Sequence, residues 1–195
     1  MKAEAECIDC LVHRGYVEIQ EATGDSSLQF EAISAVLRLL SREFKATTVP
    51  AYIGTKRDRL IKKITGNPDP YARKKQLSNQ KALEVLPLVK TLVSNEKSSD
   101  ERFRKACLAS IVGNIIEFDI PGHTFKFEDV GKLIQQAEQD LAIDEISQIF
   151  DLAKKAERVL YLTDNAGEIA FDTLLVHELK RLGPQVVVAV KAKPI

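Results

Sequence analysis

The amino-acid sequence predicts an α/β protein: a helical N-terminal region over residues 1–157, followed over residues 158–195 by the start of a parallel-sheet domain. Three observations carry this expectation. Up to about residue 157 the apolar residues recur at spacings of three and four, the pattern of helices packed on one another. Beyond it, two short apolar runs, "RVLYL" and "QVVVAVK", flank a stretch with helical spacing, the grammar of a β-α-β unit. Finally, 195 residues that are 45 % hydrophobic can bury a substantial core.

Taken in order, Ile33, Val36, Leu37, Leu40 and Phe44 form one helical stripe, with Ser26 or Ser27 as the expected N-cap. Leu60, Ile61 and Ile64 close a second helix. The segment "TGNPDP" ends it, with Gly66 as C-cap and two prolines that cannot continue the helix. Leu83, Leu86, Val89 and Val93 mark a third helix, expected to bend at Pro87. Ser98-Ser99-Asp100-Glu101 reads as a capping box before a helix carrying Phe103, Cys107 and Ile111. A loop, "EFDIPGHTFKF", then leads into a polar helix reaching Lys155.

In the C-terminal stretch, "RVLYL" suits a strand buried on both faces, "IAFDTLLVHELKRLG" a helix stopped by Gly183, and "QVVVAVK" a second buried strand. Such a unit implies a parallel sheet with helices on both faces, and two strands do not make that sheet stable alone. Either earlier apolar segments read as helix supply further strands, or the chain is a fragment of a longer protein, and the fragment is the expectation.

Composition narrows the function. Lys and Arg together number 28, as do Asp and Glu, so the formal net charge is zero and no global field recruits nucleic acid or anionic membrane. No apolar run approaches the ~20 residues of a membrane-spanning helix. "MKAEAECIDCLVHRGY" lacks the basic-then-apolar layout of a signal peptide, so a cytoplasmic location is expected. With three cysteines, reduced thiols rather than a disulfide framework are expected.

The chemistry concentrates where the first strand meets "TDNAGE", Thr163 to Glu168. Ligands of open parallel sheets gather beyond the carboxyl ends of strands, where the next helix aims unpaired N–H groups and the positive end of its dipole. Asp164 and Asn165 offer hard oxygen ligands for Mg²⁺, Mn²⁺ or a similar cation. The amides around Ala166 and Gly167 can approach a phosphate closely. Glu168 is placed to orient a water, to hold a supporting hydrogen bond, or to act as a general acid or base. The same residue types also make ordinary strand-to-helix turns and helix caps, so the six residues alone divide evenly between a site and a turn.

Several ordered stretches bear on that balance. "ECIDCL" at Cys7 and Cys10, "ITGNPDPYARKKQLSNQKAL" from Ile64, "ASIVGNIIEFDI" from Ala109, "YLTDNAGEIAFDTLL" from Tyr161 and the terminal "VVVAVKAKPI" together resemble the metal-dependent damage-control phosphatase (ARMT-like) family, in particular its smaller archaeal and bacterial branch. The resemblance runs across nearly the whole chain. It implies helices packed on a Rossmann-like domain, a divalent metal (Mn, Co, Ni or Mg) at the carboxyl edge of the sheet, and hydrolysis of phosphate monoesters. On that resemblance Asp164 and Asn165 are metal ligands, and Asp164, Glu168 and Asn114 are the catalytic set. Lys191 and Gly167 are expected to contact the substrate. In the family a K-x-x-P-I segment is followed by an Asn-Asp pair whose Asp completes the metal shell, whereas this sequence ends at Pro194-Ile195. Glu117 stands where relatives often have Asp.

The resulting expectation is a metal-dependent phosphatase acting on small phosphorylated metabolites, without membrane partners and open to homo-oligomerisation. The alternatives are a non-catalytic truncated relative, or a module that binds nucleic acid or an acidic partner through Lys56, Arg57, Arg59, Lys62, Lys63, Arg73, Lys74 and Lys75. Cys7, Cys10 and His13 have the residue types of a zinc site but lack a fourth partner. His177 is expected on the surface of the helix, and His123 in a loop bordering the cleft.

Overall fold

The computed structural model describes residues 1–115 and 130–192. The loop containing Glu117 and His123 and the terminal Pro194-Ile195 lie outside them. The chain forms two compact units, one built on Met1–Arg73 and the other on Lys74–Ala192. The change of pattern at residue 157 thus marks a change of secondary structure, while compactness divides the chain at residue 73, because helices before and after residue 157 share one core.

The first unit holds α1 (Cys7–Ala22), α2 (Ser26–Glu43) and α3 (Pro50–Thr65). Leu11, Ile19, Ala32, Val36, Leu40, Ile53 and Ile61 supply its core, with Ile33, Phe44 and Ile64 packed at the margin. Asp25, rather than Ser26 or Ser27, caps α2. Its Oδ1 accepts from the amides of Ser27 and Leu28 at 2.7 and 3.2 Å, and its backbone is extended as an N-cap requires. Gly66 ends α3 in the left-handed region at φ 70°, as the sequence predicts. Across this bundle Arg57 is buried, donating to the carbonyl of Leu11 at 3.0 Å and to Asp58 at 2.7 and 2.9 Å.

The second unit holds α4 (Ala72–Ser94, with Pro87 inside), α5 (Ser99–Ile115), α6 (Val130–Gln139), α7 (Ile146–Lys155), β1 (Arg158–Leu162), α8 (Glu168–Arg181) and β2 (Gln185–Ala189). The capping box forms as expected: Ser98 Oγ accepts from the Glu101 amide at 3.3 Å, and the Glu101 carboxylate accepts from the Ser98 amide at 3.1 Å. Helix α5 is the hub of the unit, packing against α6, α7 and α8. Accordingly Phe103, Ala106, Cys107, Leu108, Ala109 and Val112 are all buried, a wider arc than the predicted stripe, while Ile111 is exposed. The single polar helix expected before Lys155 is two, α6 and α7, separated at residues 140–145.

Strands β1 and β2 pair in parallel, with Leu160 opposite Val187 and Leu162 opposite Ala189. Helix α8 connects them and completes the expected β-α-β unit. Val159, Tyr161 and Val186 face the core. Leu160, Leu162 and Val187, on the opposite face, are 64, 70 and 49 % exposed. The reading of these strands as buried on both faces is therefore corrected: among the described residues, cover is found on one face only. A continuous apolar run states that both faces are apolar, not that both are covered.

Candidate functional site

The segment 163–167 leaves β1 at its carboxyl end, held there by Thr163, whose amide and hydroxyl both donate to the carbonyl of Ala189 at 3.1 Å. Two residues of α4 fasten its far end. Ser78 Oγ donates to the Ala166 carbonyl at 3.1 Å, and the Gly167 amide donates to Asn79 Oδ1 at 2.7 Å. Gly167 has φ 85° and ψ −57°, near the γ-turn of positive φ that side chains rarely adopt. A Cβ at this position would run into Ser78. Glycine is required here twice over, by dihedral and by space.

Around this turn the structure gathers the residues that the sequence singles out. Lys191 donates to Asp164 Oδ1 at 2.5 Å. Asn165 Nδ2 bridges the two carboxylates, donating to Asp164 Oδ2 at 3.2 Å and Glu168 Oε2 at 3.3 Å. From the last turn of α5, Asn114 Nδ2 donates to the same Glu168 oxygen at 2.9 Å. Gly113 permits that approach, because a Cβ there would lie 2.9 Å from the Phe171 ring and 3.3 Å from the Glu168 Cα. Asp164 and Lys191 are open to solvent, with side chains 59 and 43 % exposed. The amide of Gly167, expected to face a phosphate, is engaged by Asn79.

Glu168 is half-buried, and its carboxyl is held above the usual carboxylate range. Burial is the main cause, with the charges of Asp172 and Asp164 adding to it, while hydrogen bonds from Asn114 and the backbone oppose it. Behind Glu168, one turn further along α8, Asp172 is 2 % exposed. Its Oδ1 accepts from Ser110 of α5 at 2.6 Å and from Tyr161 of β1 at 2.8 Å, so one carboxylate oxygen joins three elements. Its Oδ2 has no partner among the described residues. Burial, and the neighbouring carboxylate charges, push the Tyr161 phenol well above its ordinary value.

Sequence reasoning did not assign Ser78, Asn79, Ser110, Tyr161 or Asp172 to the site. For Asp172 a signal existed, an acid one turn after Glu168 inside an apolar helix pattern. For the α4 pair no local spacing points to the turn, since Ser78 and Ala166 are 88 residues apart, although both Ser78 and Asn79 lie in the stretch from Ile64 that carries the family resemblance.

Cys7 and Cys10 are free thiols near the start of α1, and among the described residues no three His, Cys, Asp or Glu side chains converge as a metal site. Within the basic stripe, Arg57 is buried and Lys56 pairs with Glu43 at 2.7 Å. No helix among the described residues is long and apolar enough to cross a membrane.

Comparison with known proteins agrees with this architecture. The model of the damage-control phosphatase ARMT1-like domain matches residues 3–195. A damage-control phosphatase of Archaeoglobus fulgidus is 35 % identical over 196 residues, covering 100 % of this chain and 66 % of the relative. A damage-control phosphatase of Pyrococcus horikoshii is 29 % identical, also with 100 % and 66 % covered. The crystal structure of a DUF89-family protein from Pyrococcus horikoshii superposes with a TM-score of 0.85 at 30 % identity, covering all of this chain and 66 % of that one. The chain thus spans just under two thirds of the length of these relatives. A match that runs from residue 3 to residue 195 leaves almost nothing outside it, and on that ground the chain belongs to the ARMT1-like damage-control phosphatase family.

Proposed function

We propose that the Asp164 junction binds a divalent cation and serves the hydrolysis of small phosphate monoesters, to the free hydroxyl and inorganic phosphate. The observation that carries this reading is the grouping of Asp164, Asn165, Glu168 and Lys191 where β1 and β2 end and α8 begins. The donor types fit a hard cation: the Asp164 carboxylate and the Asn165 amide oxygen are ligands of the kind that Mg²⁺ and Mn²⁺ prefer. The charge balance fits as well. The charges of Asp164 and the buried Asp172 both bear on Glu168, with Asp172 Oδ2 unpartnered among the described residues and Lys191 as the cation on Asp164.

Asp164 and Asn165 are the residues that would hold the ion, Asn165 by turning its amide oxygen toward it. A bound divalent cation would offset the negative charge that builds on a phosphoryl group during transfer. The chain's own groups supply the rest. Glu168, oriented by Asn114, is placed to hold an attacking water and manage its proton. Lys191 is free to turn to a phosphate oxygen once another cation neutralises Asp164. Family membership supports the phosphatase class. Mn²⁺, Co²⁺, Ni²⁺ and Mg²⁺ all suit the ligands, and the substrate class proposed is the small phosphorylated metabolite.

The test is phosphate release from a panel of phosphate monoesters, with each of the four metals and with chelator. Release that requires metal and disappears in Asp164→Ala is expected. An unchanged rate in Asp164→Ala, or equal release in chelator, would refute the assignment.

A further inference from the structure

We propose that Asn79 of α4 is a substrate-contacting residue, donating a hydrogen bond from Nδ2 to the phosphoryl oxygens at the Asp164 junction. This rests on the phosphatase reading above and adds to it a residue from a distant part of the chain.

The orientation of the Asn79 amide follows from chemistry. The Gly167 backbone N–H is a donor, so the atom that meets it at 2.7 Å must be the carbonyl oxygen Oδ1. The amino group is thereby turned to the other side of the amide, and no described residue accepts a hydrogen bond from it. Asn79 is an exposed residue, and its bond to Gly167 places it beside the turn holding Asp164, Asn165 and Glu168.

The same bond removes a donor from the site. Helix α8 begins at Glu168, and the Gly167 amide just before it would ordinarily be among the free N–H groups that attract a phosphate. Here it is spent on Asn79. The side chain relays it: the backbone N–H polarises the Asn79 carboxamide, and a polarised amide is a stronger donor at its nitrogen. Ser78, bonded to the Ala166 carbonyl at 3.1 Å, holds α4 in register for this relay. A phosphate monoester dianion fits this composition, with its charge met by Lys191 and its oxygens by the Asn79 amino group.

A purely structural role for Asn79 makes a different prediction, and Asn79→Asp separates the two. The aspartate keeps an oxygen for the Gly167 amide, so the turn is retained, but it replaces the donor facing the phosphate with a negative oxygen. The measurement is calorimetric titration of inorganic phosphate into the protein at saturating Mn²⁺, with Mn²⁺ affinity and thermal midpoint determined separately for each variant. The expected result is phosphate affinity lowered roughly tenfold or more in Asn79→Asp at an unchanged thermal midpoint. Unchanged phosphate affinity in Asn79→Asp beside a weakened Asn79→Ala would overturn the proposal and leave Asn79 as a prop for the turn. A wild-type protein that binds Mn²⁺ but no phosphate would instead overturn the phosphatase reading, and the role of Asn79 with it.

Discussion

Gly167→Ala is the substitution whose cost the structure specifies most fully. The residue sits at φ 85° and ψ −57°, and holding a side chain in such a sparsely populated region costs about 1–3 kcal/mol. The new Cβ also meets Ser78, whose Oγ would have to rotate away and give up its bond to the Ala166 carbonyl, worth about 0.5–1.5 kcal/mol. The sum is a destabilisation of about 1.5–4.5 kcal/mol. Equilibrium denaturation of wild type, Gly167→Ala, Ser78→Ala and the double variant measures both parts. Because Ser78→Ala removes the nearest obstructing atom, the double variant should be less destabilised than the two single changes summed, by roughly 0.5–1.5 kcal/mol. The dihedral part should remain. A Gly167→Ala protein within about 0.5 kcal/mol of wild type would show that the turn is not held as described, and strict additivity would refute the steric part.

Two further perturbations test groups away from the turn. Glu18 of α1 is 2 % exposed and its carboxyl is pushed up to about 8, first by burial and then by its hydrogen bond with Asp58 and that residue's charge, against the opposing charges of Arg57 and Lys62. The folded protein therefore holds a proton that the unfolded chain releases near the ordinary 4.5 of a glutamate, so stability is full below that pH and falls as pH rises through about 8. Glu18→Gln, which mimics the protonated acid, should flatten this decline and gain on wild type by an amount on the order of a few kcal/mol by pH 9, read from denaturation midpoints across that range. Parallel curves for the two proteins would show that Glu18 does not titrate in the fold. At Asp172, alanine leaves the Ser110 and Tyr161 hydroxyls without their acceptor and should cost about 2–4 kcal/mol, while Asp172→Asn, which keeps an oxygen in place, should cost less than half of that. Equal losses in the two variants, measured by urea denaturation, would show that the clamp depends on the charge and not on the accepted hydrogen bonds.

The sequence by itself determined the local features of this protein, because those are written over spans of a few residues. The spacing of Leu60, Ile61 and Ile64 before Gly66 sets the end of α3, and Ser98 and Glu101 make the capping box of α5. The apolar runs on either side of α8 give the parallel pair β1 and β2, and the passage from Leu162 into Asp164 and Asn165 marks the junction. Even here the margin is one residue: Asp25 caps α2 where Ser26 and Ser27 are equally good cap formers, since only the backbone angles choose among three adjacent candidates. Tertiary structure decided what meets the junction. Asn114 reaches Glu168 across 54 residues of chain, Ser110 reaches Asp172 across 62, and Ser78 and Asn79 reach the turn across 88. Periodicity along a chain states which face of each helix is apolar, and it carries no term for which polar residues on two packed helices come opposite each other. That is settled by how closely the helices approach, as at Gly113 against Phe171, and so the contact that Ser78 and Asn79 of α4 make with the junction is visible only in the folded protein.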